Sequence, residues 1–135
     1  MRIILDTNIW ISFLLGRRLS EIRRIVTDVR FDVVVCQQLI GEIIDVSSRD
    51  KIRKHVSSTD VSNLLRIIRA FCHFVEIEIE AVSDIRDSKD LYLLSLAETV
   101  DALYIVSGDT DLTALGKHGN TRIITLAEFR DLYLK

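Results

Sequence analysis

Arg2-Ile3-Ile4-Leu5-Asp6-Thr7-Asn8-Ile9-Trp10 opens the chain, and its reading decides the fold. The β-branched apolar run Ile3-Ile4-Leu5 stops abruptly at Asp6-Thr7-Asn8, and an amphipathic stretch from Ile9 to Leu15 follows. Such a junction reads as a buried strand that delivers a carboxylate to the start of a helix. A second junction of this kind is Leu103-Tyr104-Ile105-Val106-Ser107-Gly108-Asp109-Thr110-Asp111-Leu112. Two apolar strands that each end in acids are the main clue to function.

Outward from these junctions, short β-branched runs alternate with helical patterns. Strands are expected at 2–5, 31–36, 74–79, 103–107 and 122–125, and helices at 7–15, 19–28, 37–47, 90–100 and 126–134. A further helix, capped by Ser58-Thr59-Asp60, should run to about residue 72. Residues 31–36 are nearly continuous in apolar side chains, as a strand covered on both faces should be. Residues 74–79 alternate with Glu76, Glu78 and Glu80, the pattern of an edge strand with one wet face. Five strands separated by helices predict a three-layer α/β/α sandwich around a five-stranded, mainly parallel sheet. With no proline and only five glycines in 135 residues, nothing marks an internal boundary, so residues 1–135 are expected to form a single domain.

Composition narrows the function classes. A net charge of −2 gives no overall attraction to nucleic acid, so contact with one would need a local basic patch. Arg17, Arg18, Arg23 and Arg24 form one such group and residues 49–54 another, and both equally suit solvated helix faces. No apolar run is long enough to span a bilayer, and no basic stretch followed by an apolar one opens the chain, so a cytoplasmic protein with no membrane contact is expected. Cys36 and Cys72 read as buried thiols rather than zinc ligands, and His55, His73 and His118 are too scattered for triad chemistry. Trp10, Phe13, Leu14 and Leu15 could pack the core or present an apolar groove to a partner.

The acids carry the chemistry. In open α/β sheets the functional crevice lies at the carboxyl ends of strands where the strand order reverses. Asp6 and Asp109 sit at two such ends. Taking 100° per residue, Glu42 falls at the edge of an apolar helical arc between Leu39 and Val46 and looks toward the sheet. Asp90 starts the helix before the fourth strand. Four converging carboxylates repel one another unless a divalent cation joins them, and Mg²⁺ and Mn²⁺ prefer such oxygen donors. The same residues also suit helix caps, and each junction taken alone fits that role.

Ile4-Leu5-Asp6-Thr7-Asn8, Leu39-Ile40-Gly41-Glu42-Ile43, Asp87-Ser88-Lys89-Asp90-Leu91-Tyr92-Leu93 and Val106-Ser107-Gly108-Asp109-Thr110-Asp111-Leu112 resemble the motifs of PIN domains, in order and over nearly the whole chain. They look especially like the VapC-like toxins of bacterial and archaeal toxin–antitoxin pairs. The resemblance implies a 3-2-1-4-5 sheet and a Mg²⁺- or Mn²⁺-dependent endoribonuclease. Implied partners are an RNA substrate, a cognate antitoxin protein and a second copy of the chain in a homodimer. Position by position, it makes Asp6, Glu42, Asp90 and Asp109 the catalytic quartet, with Asp6, Asp90 and Asp109 as metal ligands. Asn8 and Ser107 become supporting residues, and Asp87 and Asp111 are extra acids beside matched ones.

Two other α/β readings fare worse. An aspartyl-phosphate phosphatase needs a second aspartate two residues after the first, and Asn8 stands there. A receiver-like signalling module needs its phosphoacceptor after strand three and a lysine after strand five. The chain offers Glu76 to Glu80 and Thr125-Leu126-Ala127-Glu128 instead. A catalytically silent PIN-like interaction module and a housekeeping PIN nuclease are the remaining alternatives.

Overall fold

The structure, a computed structural model, describes residues 1–85 and 88–135. Three short strands form the centre: β1 (Arg2–Leu5), β2 (Asp32–Val35) and β4 (Tyr104–Val106). Ile3, Ile4, Leu5, Val34, Val35, Ile105 and Val106 are fully buried, which explains why these strands read as unbroken apolar runs. They join β3 (His73–Phe74), β6 (Thr121–Ile124) and β5 (Lys117–His118) in one sheet of order β3-β2-β1-β4-β6-β5. All pairs are parallel except β5–β6. Without β5, the order is the 3-2-1-4-5 expected from the sequence. The sheet therefore has six strands rather than five, with a two-residue strand added at one edge. Gly119, at φ +56°, makes the tight turn between β5 and β6 possible.

The helices follow the expected alternation: α1 (Thr7–Leu15), α2 (Leu19–Val26), α3 (Gln37–Ser48), α4 (Asp50–Arg53), α5 (Ser58–Phe71), α6 (Leu91–Val100), α7 (Thr110–Leu115) and α8 (Leu126–Tyr133). A 3₁₀ turn, Ser88–Asp90, leads into α6. The short α4 and α7 were not expected. α5 is capped by Ser57 rather than Ser58. Asp60 returns the bond to the Ser57 N–H, and Thr125 and Glu128 do the same for α8. Phe31, Phe129, Tyr133 and Tyr104 stack in a chain of ring contacts that seats α8. Trp10 and Phe13 are core residues: Trp10 is fully buried and donates its indole N–H to the Leu5 carbonyl (2.9 Å). Leu14 is buried too, and only Leu15, at 41% exposure, faces outward. Plain core packing is thus the role of most of that apolar group.

The third strand is shorter than its alternation predicts. Only His73 and Phe74 pair with β2, and the Val75 N–H adds one bond to the Val35 carbonyl (2.9 Å). Past Val35 the neighbouring chain turns into α3, so no strand remains to pair with. Side chains of α6 take over: the Glu78 and Ile79 N–H groups donate to Thr99 Oγ1 and the Ala81 N–H to Ser95 Oγ. Glu76, Glu78 and Glu80 are exposed, as an edge requires.

Candidate acidic site at the sheet switch point

β1 leads outward to β2 on one side, and β4 flanks it on the other, so the strand order reverses between β1 and β4. Leu5 pairs with Val106, which sets the next residues, Asp6 and Ser107, side by side at the carboxyl edge. The Asp6 N–H donates to the Val106 carbonyl (3.0 Å) and the Ser107 N–H to the Ile124 carbonyl (2.9 Å), so the ladder holds both backbones. Asp6 is 3% exposed. Its Oδ1 accepts from the Thr7 N–H (2.6 Å) and its Oδ2 from Ser107 Oγ (2.8 Å). Burial is the chief reason its pKa lies above the ordinary carboxylate value. The two hydrogen bonds oppose that shift, while the charges of Glu42 and Asp109 add to it.

Ser107 links two of the acids, since its Oγ also accepts from the Asp109 N–H (3.0 Å). Asp109 is half-buried and caps α7, its Oδ1 accepting from the Asp111 N–H (2.8 Å). Capping and site roles are therefore compatible: Asp6 caps α1 and Asp109 caps α7, yet both carboxylates lie at the same switch point. Glu42, on the sheetward side of α3 as the helical phase predicts, is partly buried. Its Oε2 accepts from Thr7 Oγ1 (2.7 Å), which ties α3 to the Asp6 junction across 35 residues of sequence.

Asp90 ends the 3₁₀ turn before α6, with its Oδ2 shielded from solvent. Asn8 is exposed on α1, and Asp111 is half-buried in the first turn of α7. Asp87 lies outside the described residues. Two residues near the acids went unnoticed in the sequence. Thr7 read only as a cap, but its hydroxyl holds Glu42. Tyr92 is the lone hydroxyl-bearing aromatic in the run from Leu91 to Leu96. Its hydroxyl is shielded from solvent, and burial, with the charges of Glu42 and Asp6, pushes its pKa above the usual phenol range. A polar aromatic inside an apolar helical face was the signal available.

The family model described as PIN domain matches residues 2–111. The chain belongs to the PIN-domain family. No curated protein matches it. Among solved structures, a chain in the crystal structure of VapBC2 from Rickettsia felis, bound to a DNA fragment from its promoter, superposes with a TM-score of 0.57. It does so at 12% identity, over 93% of this chain and 98% of that one. The RRP44 PIN domain of T. brucei superposes with a TM-score of 0.53 at 15% identity, over 98% of this chain and 80% of that one. At such identities the likeness is one of fold. PIN domains are generally nucleases, and membership of this family supports a nuclease-type function here.

The donor set suits a hard divalent cation in kind: all the acids offer carboxylate oxygen, and Asp6 is destabilised by its acidic neighbours. Among the described residues no three His, Cys, Asp or Glu side chains are grouped so as to hold an ion unaided. Mg²⁺ makes a modest demand in this respect, commonly taking one or two carboxylates and keeping several waters.

Proposed function

We propose that this PIN domain is a Mg²⁺- or Mn²⁺-dependent endoribonuclease, and that it serves as the toxin of a toxin–antitoxin pair. The observation that carries the nuclease reading is the buried Asp6 carboxylate at the switch point, with Glu42 and Asp109 close enough to raise its pKa. In this reading Asp6, Asp90 and Asp109 are the ligands, drawn together through bound waters when the cation enters, and Glu42 completes the site. A cation bound there would neutralise charge on the phosphodiester and make water a better nucleophile. Asp6, locked by Ser107 and the Thr7 N–H, supplies a fixed anchor, so little reorganisation is needed when substrate arrives. Thr7 keeps the Glu42 carboxylate turned toward that anchor. The test is incubation of end-labelled single-stranded RNA with Mn²⁺. Discrete fragments from wild type, absent with Asp6→Asn, are expected, and intact RNA in both would refute the reading.

Thr7→Val keeps the shape and the backbone bond to Asp6 but removes the hydroxyl that holds Glu42. A hydrogen bond to a charged group contributes about 1.5–3 kcal/mol. If half of that supports the reacting geometry, kcat should fall by roughly four- to twelvefold, with KM nearly unchanged. Steady-state cleavage kinetics would measure this, and an unaltered kcat would remove Thr7 from the site.

The toxin role is supported by the motif resemblance and by the fold shared with the VapBC2 chain. A cognate antitoxin and a homodimer belong to the same proposal. A hollow of about 550 Å³ between α2 and α5, lined by Leu19, Ile67, Ala70 and Phe71 among others, offers apolar surface of the kind a partner segment covers. Growth arrest on expression, relieved by co-expression of a neighbouring small reading frame, would support the role. Cleavage without growth arrest would favour a housekeeping nuclease.

A further inference from the structure

We propose that a basic hollow at the end of α1 opposite to Asp6 is a subsite for a backbone phosphate of the RNA, a reading that rests on the nuclease function above. Arg17 comes from the α1–α2 junction, and Arg53, Lys54 and His55 from the end of α4. Though far apart in sequence, they line one hollow of about 620 Å³ together with Ser57. Among the described residues no ion pair holds Arg17, Arg53 or Lys54. The hollow's one acid, Asp60, is occupied by the Ser57 N–H (3.0 Å) in the cap of α5. Asp60 keeps its charge in that bond but offsets only one of the three cations Arg17, Arg53 and Lys54, so the hollow keeps a net positive charge. An anion is the ligand that relieves it, and the acids of the site, which repel phosphate, need such cations outside the centre.

The backbone of Arg17 supplies a second, independent observation. α1 ends in a Schellman arrangement: the Arg18 N–H donates to the Phe13 carbonyl (2.8 Å) and the Arg17 N–H to the Leu14 carbonyl (3.2 Å). The residue at the left-handed position of that motif is usually glycine. Here it is Arg17, at φ +53°, while Gly16 sits one place earlier at φ −83°. A Cβ at Gly16 would lie 3.2 Å from both the Ser12 carbonyl oxygen and Arg18 Nε, so a larger residue there would press those neighbours back by a few tenths of an ångström. The chain therefore keeps a strained arginine where glycine would be easier, and strain of this sort collects at functional sites. α1 has nine residues, so the hollow lies roughly 13 Å along the helix from Asp6. That separation matches an RNA strand held a few nucleotides from the bond to be cut.

Arg17→Gly distinguishes a binding role from a structural one. In an Asp6→Asn background, which leaves RNA uncut, fluorescence anisotropy with labelled single-stranded RNA should show Kd rising roughly five- to tenfold. The slope of log Kd against log salt should fall by about one. The same change should raise Tm, because the left-handed position no longer carries a side chain. Arg53→Ser with Lys54→Ser should weaken binding further and lower the slope by about two. In the cleavage-competent protein, Arg17→Gly should raise KM rather than lower kcat. Unchanged Kd and slope, with wild type still cleaving RNA, would overturn the subsite and spare the nuclease reading. Failure of wild type to cleave, with the binding losses present, would overturn the nuclease reading and leave the RNA contact standing. If ATP binds and the Arg53→Ser, Lys54→Ser variant loses ATP but not RNA, the hollow serves a free nucleotide and the subsite is overturned.

Discussion

Asp6→Asn is expected to lower the single-turnover rate of RNA cleavage by about a thousandfold or more while leaving the metal-free protein at least as stable as wild type. The two halves have one cause. A carboxylate that is 3% exposed and flanked by Glu42 and Asp109 costs free energy to keep ionised, and its raised pKa records that cost. The folded state binds the Asp6 proton more tightly than the unfolded chain does. Ionisation therefore subtracts stability as pH rises from the ordinary carboxylate value to the raised folded one, and the full loss persists above that raised value. Asparagine removes the charge and keeps the shape. Its amide oxygen can still accept from the Thr7 N–H, and Ser107 Oγ can accept from the amide if the serine hydroxyl turns away. Removal of a principal cation ligand forfeits several kcal/mol of transition-state stabilisation, and about 4 kcal/mol is a thousandfold in rate. Quenched-flow cleavage and thermal melting in EDTA would check both halves. A variant that lost activity and also melted several degrees lower would point to structural collapse rather than to a lost ligand.

What could be read from the residues follows from which interactions are local. β1 and β4 were legible because a buried parallel strand must be apolar throughout and must end where the chain turns polar. Asp6 and Asp109 sit at those ends. The sheetward aspect of Glu42 was legible from helical phase alone. Its hydrogen bond with Thr7 was not, because no local pattern reports a contact across 35 residues. The overlong third strand is a related failure: alternation reports which faces side chains present, whereas pairing depends on whether a neighbour is there, and β2 stops at Val35. β5 was missed because two residues leave no pattern, although Gly119-Asn120 before an apolar run was a usable turn signal. Trp10 could not be assigned between core and groove because both demand an apolar face. Its indole bond to Leu5 decides for the core.

Removal of divalent cations should silence cleavage entirely, and their addition should raise Tm through the same residues. Asp6 has unfavourable interactions with Glu42 and Asp109, and among the described residues no ion pair relieves any of the three. A cation bound among them removes repulsion in the folded state and has no comparable site in the unfolded chain. At tenfold excess over Kd the gain is about 1.4 kcal/mol, or roughly 4–6 °C for a chain of this size. Mn²⁺ titrated into EDTA-treated protein, followed by melting and by RNA cleavage, should give two curves with one midpoint. The neighbouring acids then become separable. If Asp109 is the ligand, Asp109→Asn abolishes the Mn²⁺-dependent rise in Tm and Asp111→Asn preserves it, and Asp90→Asn against Asp87→Asn decides the other pair. Because Asp109 also caps α7 by accepting from the Asp111 N–H, Asp109→Asn should lose the metal effect without losing the cap, since an asparagine oxygen accepts the same bond. A rise in Tm that survives every one of these substitutions would mean that the ion binds elsewhere and that the switch-point acids serve the fold alone.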